Sequence, residues 1–250
     1  AMLALACILL LDKQSFRIRR KEILPLLLLA FLYDCSAVFL FWGYKFMSSG
    51  VATTIHFMYP LAVALAMMCF FREKGSVWVF AAIGMSIVGA VLLSLGNVDF
   101  TRGNTTLGMV SAAVSVVSYG GYIVGVRKSR AVGIDSTVLT CYVMGLGALY
   151  FIAGGLVTGG IRIETDGTAW LCILGVALPA TAVSNMTLVQ AIKRIGPTLT
   201  SVFGALEPLT AVVIGVAVFG EPFTVQGAAG ILLIVAAVTI VILHSGRRKA

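Results

Sequence analysis

Apolar residues run along this chain in blocks of about twenty, separated by short clusters of charged or turn-forming residues. An α-helix rising 1.5 Å per residue needs roughly 20 apolar residues to cross ~30 Å of hydrocarbon, so each block has the length of a membrane span. The pattern predicts a short stub at about Met2 to Leu11 and then eight full helices. These run from about Ile23 to Met47, Val51 to Phe71, Val77 to Gly96, Leu107 to Val126, Val138 to Val157, Ala169 to Val189, Leu199 to Phe219 and Val225 to His244. A membrane β-barrel would alternate apolar and polar residues over segments of about ten, and no such alternation is present. The fold class expected is therefore an all-α polytopic membrane protein, with connections too short to hold a soluble domain.

Composition agrees with that reading. Of 250 residues, 60% are hydrophobic and only 11% charged, and the mean hydropathy is +1.04; a soluble domain carries about 25% charged residues. The net charge of +8 would suggest nucleic acid only if the basic residues formed a stripe on a folded surface. They sit between spans instead, so orientation and contact with anionic lipid are the expected roles. Assigning loops to alternate sides places fifteen of the eighteen lysines and arginines on one side, leaving Lys45, Arg102 and Arg162 on the other. Cytoplasmic loops hold such an excess, which puts the C-terminus in the cytoplasm of a cell inner or plasma membrane. Five cysteines without close pair spacing imply neither a disulfide framework nor a thiolate metal site. The chain starts at Ala1 inside an apolar run, with no signal-peptide pattern, and reads as truncated.

A shift of 148 residues places Lys45 on Lys193, Pro60 on Pro208, Leu61 on Leu209, Phe71 on Phe219 and Glu73 on Glu221. Span edges coincide under the same shift, which predicts two repeats, at residues 1–97 and 106–245. The charge count sets the loops holding Glu73 and Glu221 on opposite sides, so the copies are inverted. Five spans make up the second copy. The first should match it, and a ten-helix protein lacking here its first helix and part of its second is expected. Inverted helical repeats are a recurrent design of secondary transporters, in which two halves rock about a central site.

The sequence resembles the drug/metabolite transporter superfamily, and within it the EamA-type ten-helix permeases. The resemblance rests on Phe70, Phe71, Arg72 and Glu73 closing a span in the first half. In the second half it rests on Leu206, Glu207 and Pro208 running to Phe219, Gly220, Glu221 and Pro222. The first copy departs from the pattern, with Arg72 in place of Gly220 and Lys74 in place of Pro222. The resemblance implies two five-helix domains around a cavity and carriage of amino acids, other small metabolites or drugs, often outward. A nucleotide-sugar or sugar-phosphate carrier is the alternative within transport, and a non-transport membrane protein the alternative outside it.

Ionisable groups inside spans are costly unless they face a bundle interior or water, so each marks a candidate site. Asp34, with Tyr33 beside it, lies about mid-span. Glu207 precedes Pro208 and Tyr59 precedes Pro60, each eight residues into its span, where proline removes a hydrogen bond and kinks the helix. His56, one turn ahead of Tyr59, could titrate near neutrality. Asn185, Tyr119 and Tyr122 could offer neutral hydrogen bonds, although such residues also join helices together. Asp34 or Glu207 would carry a coupled proton. Lys45 and Lys193 are expected to anchor helix ends, and Glu73 and Glu221 to cap the helices that follow them. The glycines between Gly84 and Gly89, and between Gly227 and Gly230, allow close helix contact within one chain or between two. A small-molecule substrate, the bilayer and a second copy of the chain are the expected partners; nucleic acid is not. No His-Glu-x-x-His, paired aspartates or Gly-x-Ser-x-Gly occurs, so no enzyme, cofactor or metal is expected.

Overall fold

The computed structural model describes residues 1–2, 5–6, 9, 16–47, 49–73, 75–94, 104–158, 165–204, 206–219 and 225–246. Among the described residues all regular structure is helical. The helices are α1 (Arg20–Phe46), α2 (Ser49–His56), α3 (Tyr59–Phe71), α4 (Val77–Ser94), α5 (Thr105–Lys128), α6 (Ser136–Thr158), α7 (Gly167–Gly175), α8 (Ser184–Ile195), α9 (Pro197–Phe203), α10 (Leu206–Phe219) and α11 (Val225–Gly246). Eight apolar blocks thus become eight helical segments, of which three are interrupted. The block at Val51 to Phe71 is α2 and α3, and the block at Leu199 to Phe219 is α9 and α10. The block starting at Ala169 is α7 and α8, joined through a π-helical stretch at Val176–Val183 and extended to Ile195. Among the described residues five segments are long and apolar enough to cross a membrane, among them Arg20–Phe46 and Ser136–Val157.

Large apolar side chains also cover the outside, while polar groups are drawn into the interior. Phe70, Val77 and Val157 are each at least 80% exposed, whereas Asp34, Ser36, Ser115, Thr140 and Asn185 are buried. In water an apolar surface of this extent would be unstable; in hydrocarbon it costs nothing, and the interior is where polar groups find partners. The chain is therefore a multi-pass membrane protein.

Two compact units divide it, each drawing on both halves of the sequence. The first holds residues 1–35 and 125–196. Its core sets Leu26, Leu29 and Ala30 with Val126, Leu139, Val143, Val189 and Ile192, all buried. Gly125 admits Leu29, whose Cδ2 lies 2.8 Å from where a Cβ would stand. Polar caps close the helix ends here. Asp135 accepts from the amide of Thr137 at 2.8 Å ahead of α6, and Asp166 accepts from Thr168 and Ala169 at 3.2 Å ahead of α7, as an N-cap carboxylate does for amides left without helical partners.

The second unit holds residues 36–124 and 197–250. Ala64, Ala82, Ile83, Val202 and Ala237 form a cluster in its core, joining α3, α4, α9 and α11. Between α4 and α11 the approach is closest at Gly89, where a Cβ would stand 2.7 Å from Ile234 Cγ1 and 2.8 Å from the carbonyl oxygen of Gly230. The glycine stripe thus serves a contact within the chain at this point. Gly84 has open space around it. Helix α3 ends with Arg72 in the left-handed region (φ 53), and the amide of Glu73 returns to the carbonyl of Met67 at 3.1 Å. Glu73 thus belongs to the turn that closes α3. Ser76, whose carbonyl takes the amide of Phe80 at 3.1 Å, occupies the cap position of α4 that the sequence reading gave to Glu73.

Gly89→Ala should lower stability by about 1–3 kcal/mol, because its Cβ meets backbone that cannot yield, whereas Gly84→Ala should be neutral or mildly stabilising. Melting temperatures of the two variants in detergent or nanodiscs check the contrast, and equal losses would contradict the packing described.

Candidate functional site

Two of the interrupted helices lie in the second unit. Helix α2 stops at His56, Phe57 and Met58 form a turn, and α3 begins at Tyr59 with Pro60 in its first turn. Helix α9 stops at Phe203, Gly204 turns, and α10 begins at Leu206 with Glu207 and Pro208 in its first turn. Each proline therefore starts a half-helix, where its missing N–H is not needed, rather than bending a continuous one. Each helix gives way just before its proline, at Phe57 and Met58 ahead of Pro60 and at Gly204 ahead of Pro208. The interruptions fall at corresponding places, since Phe57 and Met58 map to Ala205 and Leu206 under the 148-residue shift.

The residues around the first interruption form one cluster. His56 Nδ1 lies 2.8 Å from Ser115 Oγ of α5. Ser115 in turn donates to the backbone oxygen of Ser36 in α1 at 2.8 Å and lies 3.1 Å from Ser36 Oγ. The His56 ring is tilted against Tyr59 and Tyr119, with centroids 5.7 and 5.3 Å away. Tyr59 and Tyr119 meet edge to face at 4.8 Å, a favourable arrangement of ring quadrupoles. Tyr119 stacks on Tyr122 at 6.3 Å. So His56, Tyr59, Tyr119 and Tyr122, scattered in the sequence, are contiguous. Ser36 and Ser115 belong to the same network and were missed by sequence reasoning, because a serine in an apolar helix gives no local signal of its partner.

The second interruption meets the first through Tyr59. A Cβ added to Gly204 would overlap the Tyr59 hydroxyl and lie 3.0 Å from Tyr59 Cζ. The phenol of one interrupted helix thus lies over the bare backbone turn of the other. Glu207 follows in the first turn of α10, where its carboxylate sits at the positive end of the helix dipole. Glu207 keeps exposed surface of its own.

A separate polar cluster lies in the first unit. Asn185, buried at the start of α8, donates to the Tyr33 hydroxyl at 2.8 Å and to the carbonyl of Thr181 at 3.1 Å. Thr181 belongs to the π-helical stretch and donates to the carbonyl of Val176 at 2.9 Å. Pro179, inside that stretch, lacks the N–H a regular helix would use, and the side chains of Thr181 and Asn185 take up carbonyls nearby. The proline was the available sequence signal for this irregularity. Asp34 is buried against α6 at Gly147, where a Cβ would stand 2.7 Å from Oδ1. Its Oδ2, like Oδ1 of Asn185, has no hydrogen-bond partner among the described residues.

Of the expected anchors, Lys193 ties α8 to the turn ahead of α6: its Nζ donates to the carbonyl of Ile134, while Arg127 Nη1 donates to the carbonyl of Lys193 at 2.6 Å. Lys45 is exposed in the last turn of α1. Glu221 lies outside the described residues.

The sequence matches the model of the EamA-like transporter family over residues 1–95 and 106–243. The chain belongs to that family. A solved crystal structure superposes on it with a TM-score of 0.82 at 16% identity, covering 100% of this chain and 85% of the other; that likeness concerns the fold. No curated protein matches the sequence. As an EamA-like protein the chain is a membrane transporter of small molecules.

Gly204→Ala should disturb the contact with Tyr59 and cost about 1–3 kcal/mol. Replacing Tyr59 by Leu in that background should return part of the loss, a non-additive result expected of touching residues. Strict additivity of the two changes in melting temperature would rule the contact out.

Proposed function

We propose that this EamA-like protein carries a small organic metabolite, an amino acid or drug-like compound, outward across a cell inner or plasma membrane by alternating access. The observation carrying this reading is the pair of interrupted helices at corresponding places in the two halves, with His56, Tyr59 and Glu207 at the interruptions. Non-helical backbone inside a span is tolerated only where protein or a water-filled cavity covers it. Discontinuous helices of this kind hold cargo in transporters built from inverted repeats. Glu207 supports the same reading: a carboxylate inside an apolar span that retains accessible surface belongs against water rather than lipid.

Asp34 and Glu207 are the candidates for a coupled proton. Each would alternate between a protonated state suited to an apolar interior and an ionised state suited to an open, wet one. The excess of basic residues on one side of the membrane orients the C-terminus to the cytoplasm. The open space at Gly84 and the exposed apolar faces leave room for a second copy of the chain as partner.

The test is flux through proteoliposomes containing the protein, offered a mixed pool of amino acids and metabolites with and without an imposed pH gradient. Transport of one compound class is expected. Glu207→Gln should cut gradient-driven flux by about ten- to hundredfold, the worth of a charge-assisted hydrogen bond, while counterflow without a gradient persists. Unchanged gradient-driven flux in both Asp34→Asn and Glu207→Gln removes the proton assignment, and absence of any flux from folded protein removes the cargo class.

A further inference from the structure

The hydrogen bonds around Ser115 determine where the proton of His56 sits. A serine hydroxyl has one proton to give and two lone pairs to receive with. Three neighbours lie within bonding distance of Ser115 Oγ: the backbone oxygen of Ser36 at 2.8 Å, Nδ1 of His56 at 2.8 Å and Oγ of Ser36 at 3.1 Å. The backbone oxygen can only accept, so it takes the single Ser115 proton. The alternative would leave the two oxygens facing each other at 2.8 Å with no proton between them, lone pair against lone pair. Both lone pairs of Ser115 must then be met by donors, which are the hydroxyl of Ser36 and Nδ1–H of His56. The three contacts saturate the serine and admit no arrangement in which Nδ1 is bare.

We infer that Ser115 is a positioning residue that fixes neutral His56 with its proton on Nδ1, and that Nε2 is thereby the acceptor offered to a hydrogen-bond donor, N–H or O–H, of the transported compound. The inference rests on the transport reading above for its second half only. An imidazole carries its two nitrogens on different edges, so the edge bearing Nε2 is turned away from Ser115. The rings of Tyr59 and Tyr119 lie tilted against the imidazole, with centroids 5.7 and 5.3 Å away. The hydrogen bond to Ser115 is made at Nδ1. His56 is only half-buried and is the last residue of α2, beside the turn at Phe57 and Met58. An aromatic surround supplies contact for an apolar body, and a single lone pair at its edge selects a cargo with a proton to donate. A carboxylate or ether oxygen presented to the same nitrogen would meet lone pair with lone pair.

The protein has two histidines, His56 and His244, which makes the proton directly observable. In protein labelled with 15N at histidine and reconstituted in nanodiscs, a His244→Gln variant leaves one imidazole. At alkaline pH, where the ring is neutral, that imidazole should show a protonated Nδ1 and a bare Nε2. Ser115→Ala should move the proton to Nε2, the preference of an unconstrained imidazole, and Ser115→Thr, which keeps the hydroxyl, should restore Nδ1–H. For whichever compound the wild-type protein moves best from the mixed pool, Ser115→Ala should raise KM about tenfold with kcat little changed, the worth of one hydrogen bond, and Ser115→Thr should recover it. A proton on Nε2 in the otherwise unaltered protein, or on Nδ1 in Ser115→Ala, overturns the assignment of the tautomer, and does so whether or not any cargo is found. The expected tautomers with an unchanged KM overturn the role given to Nε2.

Discussion

The governing constraint on this molecule is that hydrocarbon cannot hydrogen-bond. Every backbone N–H and C=O within the bilayer has to find a partner inside the protein, at a cost of several kcal/mol wherever it fails. This is why the apolar blocks become helices, which meet the demand within one segment. It is also why polar side chains collect inside while Phe70 and Val157 face outward. The three places where the helix gives way are legible in the same terms. At the π-helical stretch Thr181 and Asn185 serve displaced carbonyls. Elsewhere Pro60 and Pro208 start new half-helices, so the donor each lacks is one that no carbonyl awaits.

The fold was legible in the sequence because its signal is collective. A block of twenty apolar residues survives the change of any one of them, and fifteen basic residues against three fix the parity of the loops more firmly than any motif. Span ends read this way lie close to the helix ends, the largest departure being α8, which runs on to Ile195 through Lys193 and Arg194. Those charges read as a loop, but Lys193 folds back onto the carbonyl of Ile134 and keeps the helix going. The glycines were legible as places of close approach and no further. Gly89 touches α11 and Gly84 touches nothing, and only geometry separates them.

The site was legible in part, and for a different reason. Residues that are rare in apolar spans announce themselves, as Asp34, His56 and Glu207 did. Their partners do not. Ser36 and Ser115 lie 79 positions apart, and serines are common along α5, so no local pattern selects Ser115 from Ser111 or Ser118. Gly204 is harder still, because its role is to be absent: it leaves the volume that the Tyr59 phenol occupies. Glu73 went the other way. Read from its spacing as a cap for the following helix, it ends the preceding one, since Arg72 adopts the left-handed conformation that releases the chain from α3 first.

The two interruptions also separate what backbone physics demands from what side-chain chemistry is free to choose. Under the 148-residue shift Tyr59 corresponds to Glu207, and His56 to Gly204. The proline, the gap before it and the length of the half-helix beyond are common to both copies, because an interrupted helix in a membrane has few workable geometries. The flanking side chains are not common, and their differences are complementary. Where one copy carries the imidazole of His56, the other carries the bare Gly204 over which Tyr59 lies; where one carries the phenol of Tyr59, the other carries the carboxylate of Glu207. Had both copies kept a bulky residue at the position of His56 and Gly204, Tyr59 would have no place to lie and the two interrupted helices would be held apart. With glycine at position 204, Tyr59 lies across the turn and the two interrupted helices meet there.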